Sequence, residues 1–395
     1  MNFITLRTLL MSFFVIIFVF SCKKDESKEE NSNIHNYTLS SNITTNITHN
    51  ATMEDGKTYT IDGTIYVDGV TLTIKPGVTV KFTKNSSIIF GVHAEDSRLI
   101  ANGTSSKPIT FTSAAYHPAE GDWNNIKFTS GTLNNSSMKY CNIIYAGGLT
   151  GDNAAIDISD CSITIENCKI EYSGNRGIDL DNGGKFNSFT GNTIKNCTNE
   201  AICLYVNNVH TIGINNTIID NSILVKGGNF VQEFSKKWRY VGVPYIIEDT
   251  VNIFSAPGSK LIIDAGNTIK FKKGAVFSIG TGAKSGTLVA NGTTDSVITF
   301  TSAETYKKAG DWSGLIFDKG ASNGCIINNC IIQYGGKNNS GHSDISFNET
   351  HGNVTISNTY IANAKGYGIY IDSLSTPILS NNTFGYNPYG ELFQE

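Results

Sequence analysis

Arg176, Asp179 and Asp181 lie together in the segment NRGIDLDNGG. If Ile178 opens a strand, Asp179 and Asp181 share one face while Ile178 and Leu180 take the other. An arginine beside two outward carboxylates is a set from which a polysaccharide lyase could be built. One group would abstract the proton alpha to a uronate carboxylate and the carboxylates would hold Ca²⁺. The plainer reading is a solvated face of paired charges, and it is favoured, so no catalytic residue and no cofactor is assigned. Trp123 and Trp312, each in a Gly-Asp-Trp triplet, could be stacking platforms for a glycan. They could equally close the end of a structural unit. The triplet occurs twice, and one active site seldom needs two intact copies, so the structural role is preferred. His342, in Gly-His-Ser, and His351, in Thr-His-Gly, have no matching histidine elsewhere in the chain and are candidates for a loop groove that touches glycan. No His/Cys cluster has zinc spacing, and no calcium repeat or nucleotide loop occurs, so no metal site is assigned.

The elements that must position these residues are set by a duplication. Residues 99–128 (LIANGTSSKPITFTSAAYHPAEGDWNNIKF) and 288–317 (LVANGTTDSVITFTSAETYKKAGDWSGLIF) align without a gap at an offset of 189. The match extends upstream, where Val80-Lys81-Phe82 faces Ile269-Lys270-Phe271. Downstream, Cys141, Tyr145 and Gly147 face Cys330, Tyr334 and Gly336, and beyond them the offset slips to 191. At that offset Arg176, Asp179 and Asp181 face Tyr367, Tyr370 and Asp372. Internal repetition of this kind dictates architecture.

Within each copy a shorter period runs. Ile163-Thr164-Ile165-Glu166, Ile178-Asp179-Leu180-Asp181 and Ile369-Tyr370-Ile371-Asp372 alternate aliphatic and polar residues, the pattern of strands with one buried face. Three such strands per roughly 20–29 residues make the coil of a parallel β-helix. Asn167, Asn192, Asn216, Asn358 and Asn382 recur near the turns, where asparagines can stack as a ladder and accept left-handed backbone. The expected architecture is an all-β solenoid of roughly fourteen coils, ~65 Å long at ~4.8 Å per coil.

The run LTIKPG, VKF, LIANGT, PITFTS, GDW resembles the repeat of right-handed parallel β-helix surface proteins of the pectin-lyase-like superfamily, and WRYVGVPY (residues 238–245) is similar to that family's lead-in to a new unit. The resemblance implies the right-handed fold. It implies little about activity, since the scaffold carries lyases, hydrolases, adhesins and spacers. The Asp-Asp pair and Gly-His-Gly of polygalacturonases are missing.

The N-terminus reads as a processing signal. Arg7 precedes an apolar run over residues 9–20 that is short for a membrane span. Val19-Phe20-Ser21-Cys22 resembles a bacterial lipobox, which would make Cys22 the lipidated first residue of the mature protein. The charged run Lys23-Lys24-Asp25-Glu26-Ser27-Lys28-Glu29-Glu30 cannot pack and is expected as a tether. The expected divisions are a signal peptide at 1–21, lipidated Cys22 and tether at 22–50, and β-helix copies at 51–228 and 229–395, continuous with each other. Cys22 leaves seven further cysteines, an odd number, and these are expected as buried thiols. A net charge of −4 gives no basic footprint for nucleic acid. The sequence therefore predicts a monomeric lipoprotein at the outer surface of a Gram-negative bacterium, binding glycan or matrix without catalysis. A Ca²⁺-dependent lyase or a hydrolase is the alternative, and a passive spacer the third reading.

Overall fold

The computed structural model describes residues 37–149, 154–219, 221–232 and 234–395. The signal peptide, Cys22 and the charged run lie outside the described residues. Residues 37–50, expected as tether, instead form the first coil: Tyr37–Thr38 and Asn42–Ile43 are strands, and Leu39, Ile43 and Ile47 are buried. Three aliphatics spaced four apart are enough to join the core, and the abundance of Asn and Thr around them hid that spacing.

The chain winds into a right-handed parallel β-helix of about fourteen coils. One face begins as a seven-stranded sheet, from Tyr37–Thr38 to Lys185–Thr190, and the next as an eight-stranded sheet, from Asn42–Ile43 to Thr217–Ile219. The third face is a single thirteen-stranded sheet from Thr64–Val67 to Thr383–Phe384, and it crosses the boundary between the copies without a break. Beyond residue 227 a seven-stranded and a six-stranded sheet, starting at Gly228–Phe230 and Lys236–Trp238, take over the first two faces. Neighbouring coils pair in parallel, as Ile178, Asp179 and Leu180 do with Ile202, Cys203 and Leu204. Inward side chains therefore stack like on like, Ile156 on Ile178 on Ile202, and fill the interior with apolar contacts.

The duplicated strands do not fall on the same face. Thr79–Phe82 belongs to the eight-stranded sheet, while its copy Thr268–Phe271 belongs to the thirteen-stranded one. The 189-residue offset is thus not a whole number of coils, and the second copy is turned one face further round the axis. A 3₁₀ turn at Val206–Thr211, with Val206 and Val209 buried, stands in for a strand on the first face just before the change.

Corners between faces are held by two devices. Gly91 (φ 75°) abuts Gly131, and its copy Gly280 (φ 76°) abuts Gly320; a Cβ on Gly91 would lie 2.4 Å from the facing backbone, so no side chain fits. Elsewhere a polar side chain accepts the backbone N–H of the coil before it. Cys141 N–H points to Cys168 Sγ (3.4 Å), Cys168 N–H to Asn192 Oδ1 (2.9 Å) and Asn192 N–H to Asn216 Oδ1 (3.0 Å). In the second copy Cys330 N–H points to Thr359 Oγ1 and Thr359 N–H to Asn382 Oδ1. Asn167 and Asn358 have the other expected role, with left-handed φ of 55° and 49°. The seven cysteines that follow Cys22 are all free, and six are buried; burial pushes the thiols of Cys197, Cys203 and Cys330 up to about 12.

Candidate functional site

The two Gly-Asp-Trp triplets are corner supports. Trp123 and Trp312 are fully buried, which removes both from the candidate glycan platforms. Trp123 stacks on Phe82 at 4.0 Å and donates from Nε1 to Ile144 O at 2.9 Å; Trp312 stacks on Phe271 at 3.9 Å and donates to Gln333 O at 2.8 Å. Asp122 Oδ2 accepts from Ser113 Oγ (2.6 Å) and Ala119 N–H (2.9 Å), and Asp311 Oδ2 from Ser302 Oγ (2.6 Å) and Lys308 N–H (2.8 Å). Both carboxylates pin a loop and neither is left to grip a sugar.

Arg176, Asp179 and Asp181 are brought together on the thirteen-stranded face. Strand Ile178–Asp181 places Asp179 and Asp181 outward, and two coils on, Ile223–Lys226 brings up Lys226, which sequence reasoning missed. Arg176 Nη1 donates to Asp179 Oδ2 at 2.8 Å and its Nε to Glu200 Oε2 at 3.2 Å. Lys226 Nζ reaches Asp179 Oδ1 at 3.3 Å, bonds to Asp181, and lies 5.2 Å from the centre of the Tyr205 ring. Burial works against the Lys226 charge, but the hydrogen bond to Asp181 and the charges of Asp179 and Asp181 raise its pKa above that of an ordinary lysine. Arg176 is raised likewise, against burial, by Asp179 and Glu200. Both cations stay charged, and Asp179 is 5% exposed beneath them. The oxygens that a Ca²⁺ ion would need share an ammonium instead, so the calcium expectation finds no donor set here. Among the described residues no group of three or more His, Cys, Asp or Glu converges to hold a metal.

One coil before Asp179, in register, stands Asp157, a second residue that the sequence did not single out. Its carboxyl accepts from Asn125 Nδ2 (2.5 Å) and Ala154 N–H (3.4 Å). Burial raises it to about 7, Lys127 opposing and Asp179 adding to the rise. The signal was present as Ile156-Asp157-Ile158, the same alternation as Ile178-Asp179-Leu180 one coil later, and only the coil register makes the two carboxyls neighbours.

His342 is half-buried in a short 3₁₀ turn, its Nδ1 3.2 Å from Gly336 O, and His351 is exposed in a separate loop. Gly341 of that turn lies against the Tyr370 ring. The turn precedes Asp344, which is fully buried, accepts from Gly335 N–H at 2.6 Å and is pushed well above the carboxylate range by burial, the Gly335 bond opposing.

Beside the ion-pair network, at the edge of the thirteen-stranded face, is a shallow depression of about 390 Å³ lined by Asn182, Gly183, Lys185, Tyr205, Asn207 and Asn208. Tyr205 is 38% exposed on its floor, with Lys226 against its ring. Asn182 has left-handed φ (49°), and Asn208 Nδ2 is anchored to Gly184 O at 2.9 Å. An open tyrosine face with amides and a lysine around it can stack on a sugar ring and bond its hydroxyls.

Residues 45–212 match a family model described as a pectate-lyase-like β-helix domain. The fold is pectin-lyase-like. No curated protein matches the chain. Among solved structures, the catalytic domain of a GH87 alpha-1,3-glucanase in complex with nigerose is 12% identical over 87% of this chain, at a TM-score of 0.28, and this chain spans 61% of that one. An alginate lyase from Paenibacillus sp. str. FPU-7 is 16% identical over 85% of this chain and 98% of its own, at a TM-score of 0.18. Neither likeness bears on this chain's chemistry.

Proposed function

We propose that this chain is a cell-surface lipoprotein whose β-helix binds glycan without catalysis, at the depression around Tyr205. The observation that carries the binding site is the exposed Tyr205 ring among Asn182, Asn207, Asn208 and Lys185. Support for the absence of catalysis comes from the network alongside it. Asp179, the carboxylate that a lyase or hydrolase would need free, is buried and bonded to two cations. Binding in this form needs only side chains that stay put, and stacked coils supply them.

A second reading rests on Asp157. A carboxyl that holds its proton near neutral pH, with a second carboxyl one coil away, is the usual equipment for acid–base cleavage of a glycosidic bond. One experiment addresses both. The protein is titrated with a panel of oligosaccharides and incubated with the parent polysaccharides. Saturable binding that falls at least tenfold in Tyr205→Ala, with no new reducing ends or unsaturated product, is expected. Product that disappears in Asp157→Asn would overturn the non-catalytic reading, and binding indifferent to Tyr205→Ala would overturn the site.

The lipid anchor rests on Val19-Phe20-Ser21-Cys22, and the outer membrane of a Gram-negative bacterium is the proposed location. Cys22→Ala is expected to move the protein from the membrane to the soluble fraction; retention in the membrane fraction would refute lipidation at Cys22.

A further inference from the structure

At the Val206–Thr211 turn three successive coils each contribute one basic side chain to the same corner. Lys185 is exposed at the start of its strand, His210 is half-buried in the turn one coil later, and Lys236 is half-buried one coil beyond that. The coils are tied at this place: Phe186 N–H donates to Thr211 Oγ1 (3.4 Å), Val231 N–H to Asn207 Oδ1 (3.1 Å) and Gln232 Nε2 to the same oxygen (2.7 Å). Burial lowers the pKa of His210, and the charges of Lys236 and Lys185 lower it further, against the pull of the Asn207 carbonyl. The two lysines therefore act on one imidazole. Among the described residues neither lysine forms an ion pair, whereas Lys226 and the neighbouring Lys237 each do. Positive charge has been gathered here with no ion-pair partner among the described residues, in a chain whose net charge is −4.

Lys185 also lines the Tyr205 depression, so the basic corner is continuous with it. Two carboxylates lie by the depression: Asp181, bonded to Lys226, and Asp160, beside Gly183. A ligand that covers Tyr205 and extends past Lys185 thus reaches the basic corner of Lys185, His210 and Lys236. Two lysines and an imidazole with a ring N–H to donate suit a tetrahedral oxyanion of higher charge better than one carboxylate.

Resting on the glycan reading above, we infer that the ligand carries a sulfate or phosphate ester, held by Lys185, His210 and Lys236 while its sugar ring lies on Tyr205. The charge end supplies selectivity and a salt-dependent affinity, and the tyrosine supplies the contact common to any sugar.

The test uses the full chain and four probes: a sulfated oligodextran, a phosphorylated oligomannose, an oligogalacturonate and an uncharged oligodextran. The sulfated or the phosphorylated probe, whichever is the true source, is expected to bind at least tenfold more tightly than the uncharged one, and to shift the His210 ring signals in NMR. Lys236→Glu, outside the Tyr205 depression, should abolish that preference and leave weak uncharged binding in place; Lys236→Gln serves if the reversal does not fold. Equal affinity for all four probes, or a preference that survives the lysine change, overturns the inference and leaves the glycan reading standing. Tighter binding of the oligogalacturonate than of either ester also overturns it. Absence of binding by every probe overturns both.

Discussion

Two pairs of equivalent regions show opposite behaviour under duplication. The Gly-Asp-Trp corners agree closely: indole-to-phenyl separations of 4.0 and 3.9 Å, indole hydrogen bonds of 2.9 and 2.8 Å, and serine-to-aspartate bonds of 2.6 Å in both. They do so although the second copy is turned one face round the axis. The outward rows have diverged in all but the aspartate at 181 and 372. Where the first copy sets Arg176, Asp179 and Asp181 in an ion-pair network, the second has Tyr367 against Phe393 (5.2 Å), Tyr370 stacked on Phe393 (5.5 Å) and bonded to Glu395, and Asp372 accepting from Glu349 N–H (2.5 Å) and Ser375 Oγ (2.5 Å). Inward positions meet the same neighbours in every coil, so their requirements survive copying. Outward positions meet whatever the next loop brings.

The largest expected effect tests the first half of that comparison. Trp123→Ala and Trp312→Ala each remove a fully buried indole, its stack on a phenylalanine and one hydrogen bond, and each should cost about 3–5 kcal/mol of stability. Urea midpoints should fall by similar amounts in the two variants, because the surroundings are the same. A loss in one that is less than half the loss in the other would mean that the corners are alike in shape and unlike in energy.

The legibility of the sequence follows the same division. Alternation such as Ile163-Thr164-Ile165-Glu166 and the duplication at an offset of 189, later 191, were enough to reach a parallel β-helix, because inward residues repeat with the period of the coil. The first coil was missed because Leu39, Ile43 and Ile47 sit among polar residues that read as linker. Rotation of the second copy was invisible, since it depends on how many strands lie between the repeats, and the Val206–Thr211 turn replaces one of them. The candidate site was half legible. Arg176, Asp179 and Asp181 were close in sequence, but Asp157, Glu200, Tyr205 and Lys226 join them only through coil register. Coil length varies enough that a residue 22 or 24 positions away can be the direct neighbour, as Asp157 and Cys203 are of Asp179.

A smaller effect sharpens the second half of the comparison. In the outward row the first copy keeps Asp157 where the register-equivalent residue of the second copy is Ser346. The folded pKa of Asp157, about 7, lies above the ~3.9 of an unfolded aspartate. The folded chain therefore holds this proton over a range where the unfolded chain has lost it. That contribution is fully present below pH about 4 and is lost as pH rises toward 7. Asp157→Asn removes the titration while keeping an oxygen that can accept from Asn125. Relative to the parent, the variant should gain about 4 kcal/mol between pH 4 and pH 8, read as the difference between the two curves of unfolding free energy against pH. Ser346→Ala, at the equivalent place, should leave the pH dependence of that difference flat. A flat difference for Asp157→Asn as well would mean that the carboxyl is ionised in the folded chain, that Lys127 outweighs burial, and that the near-neutral acid on which the catalytic reading depends is not there.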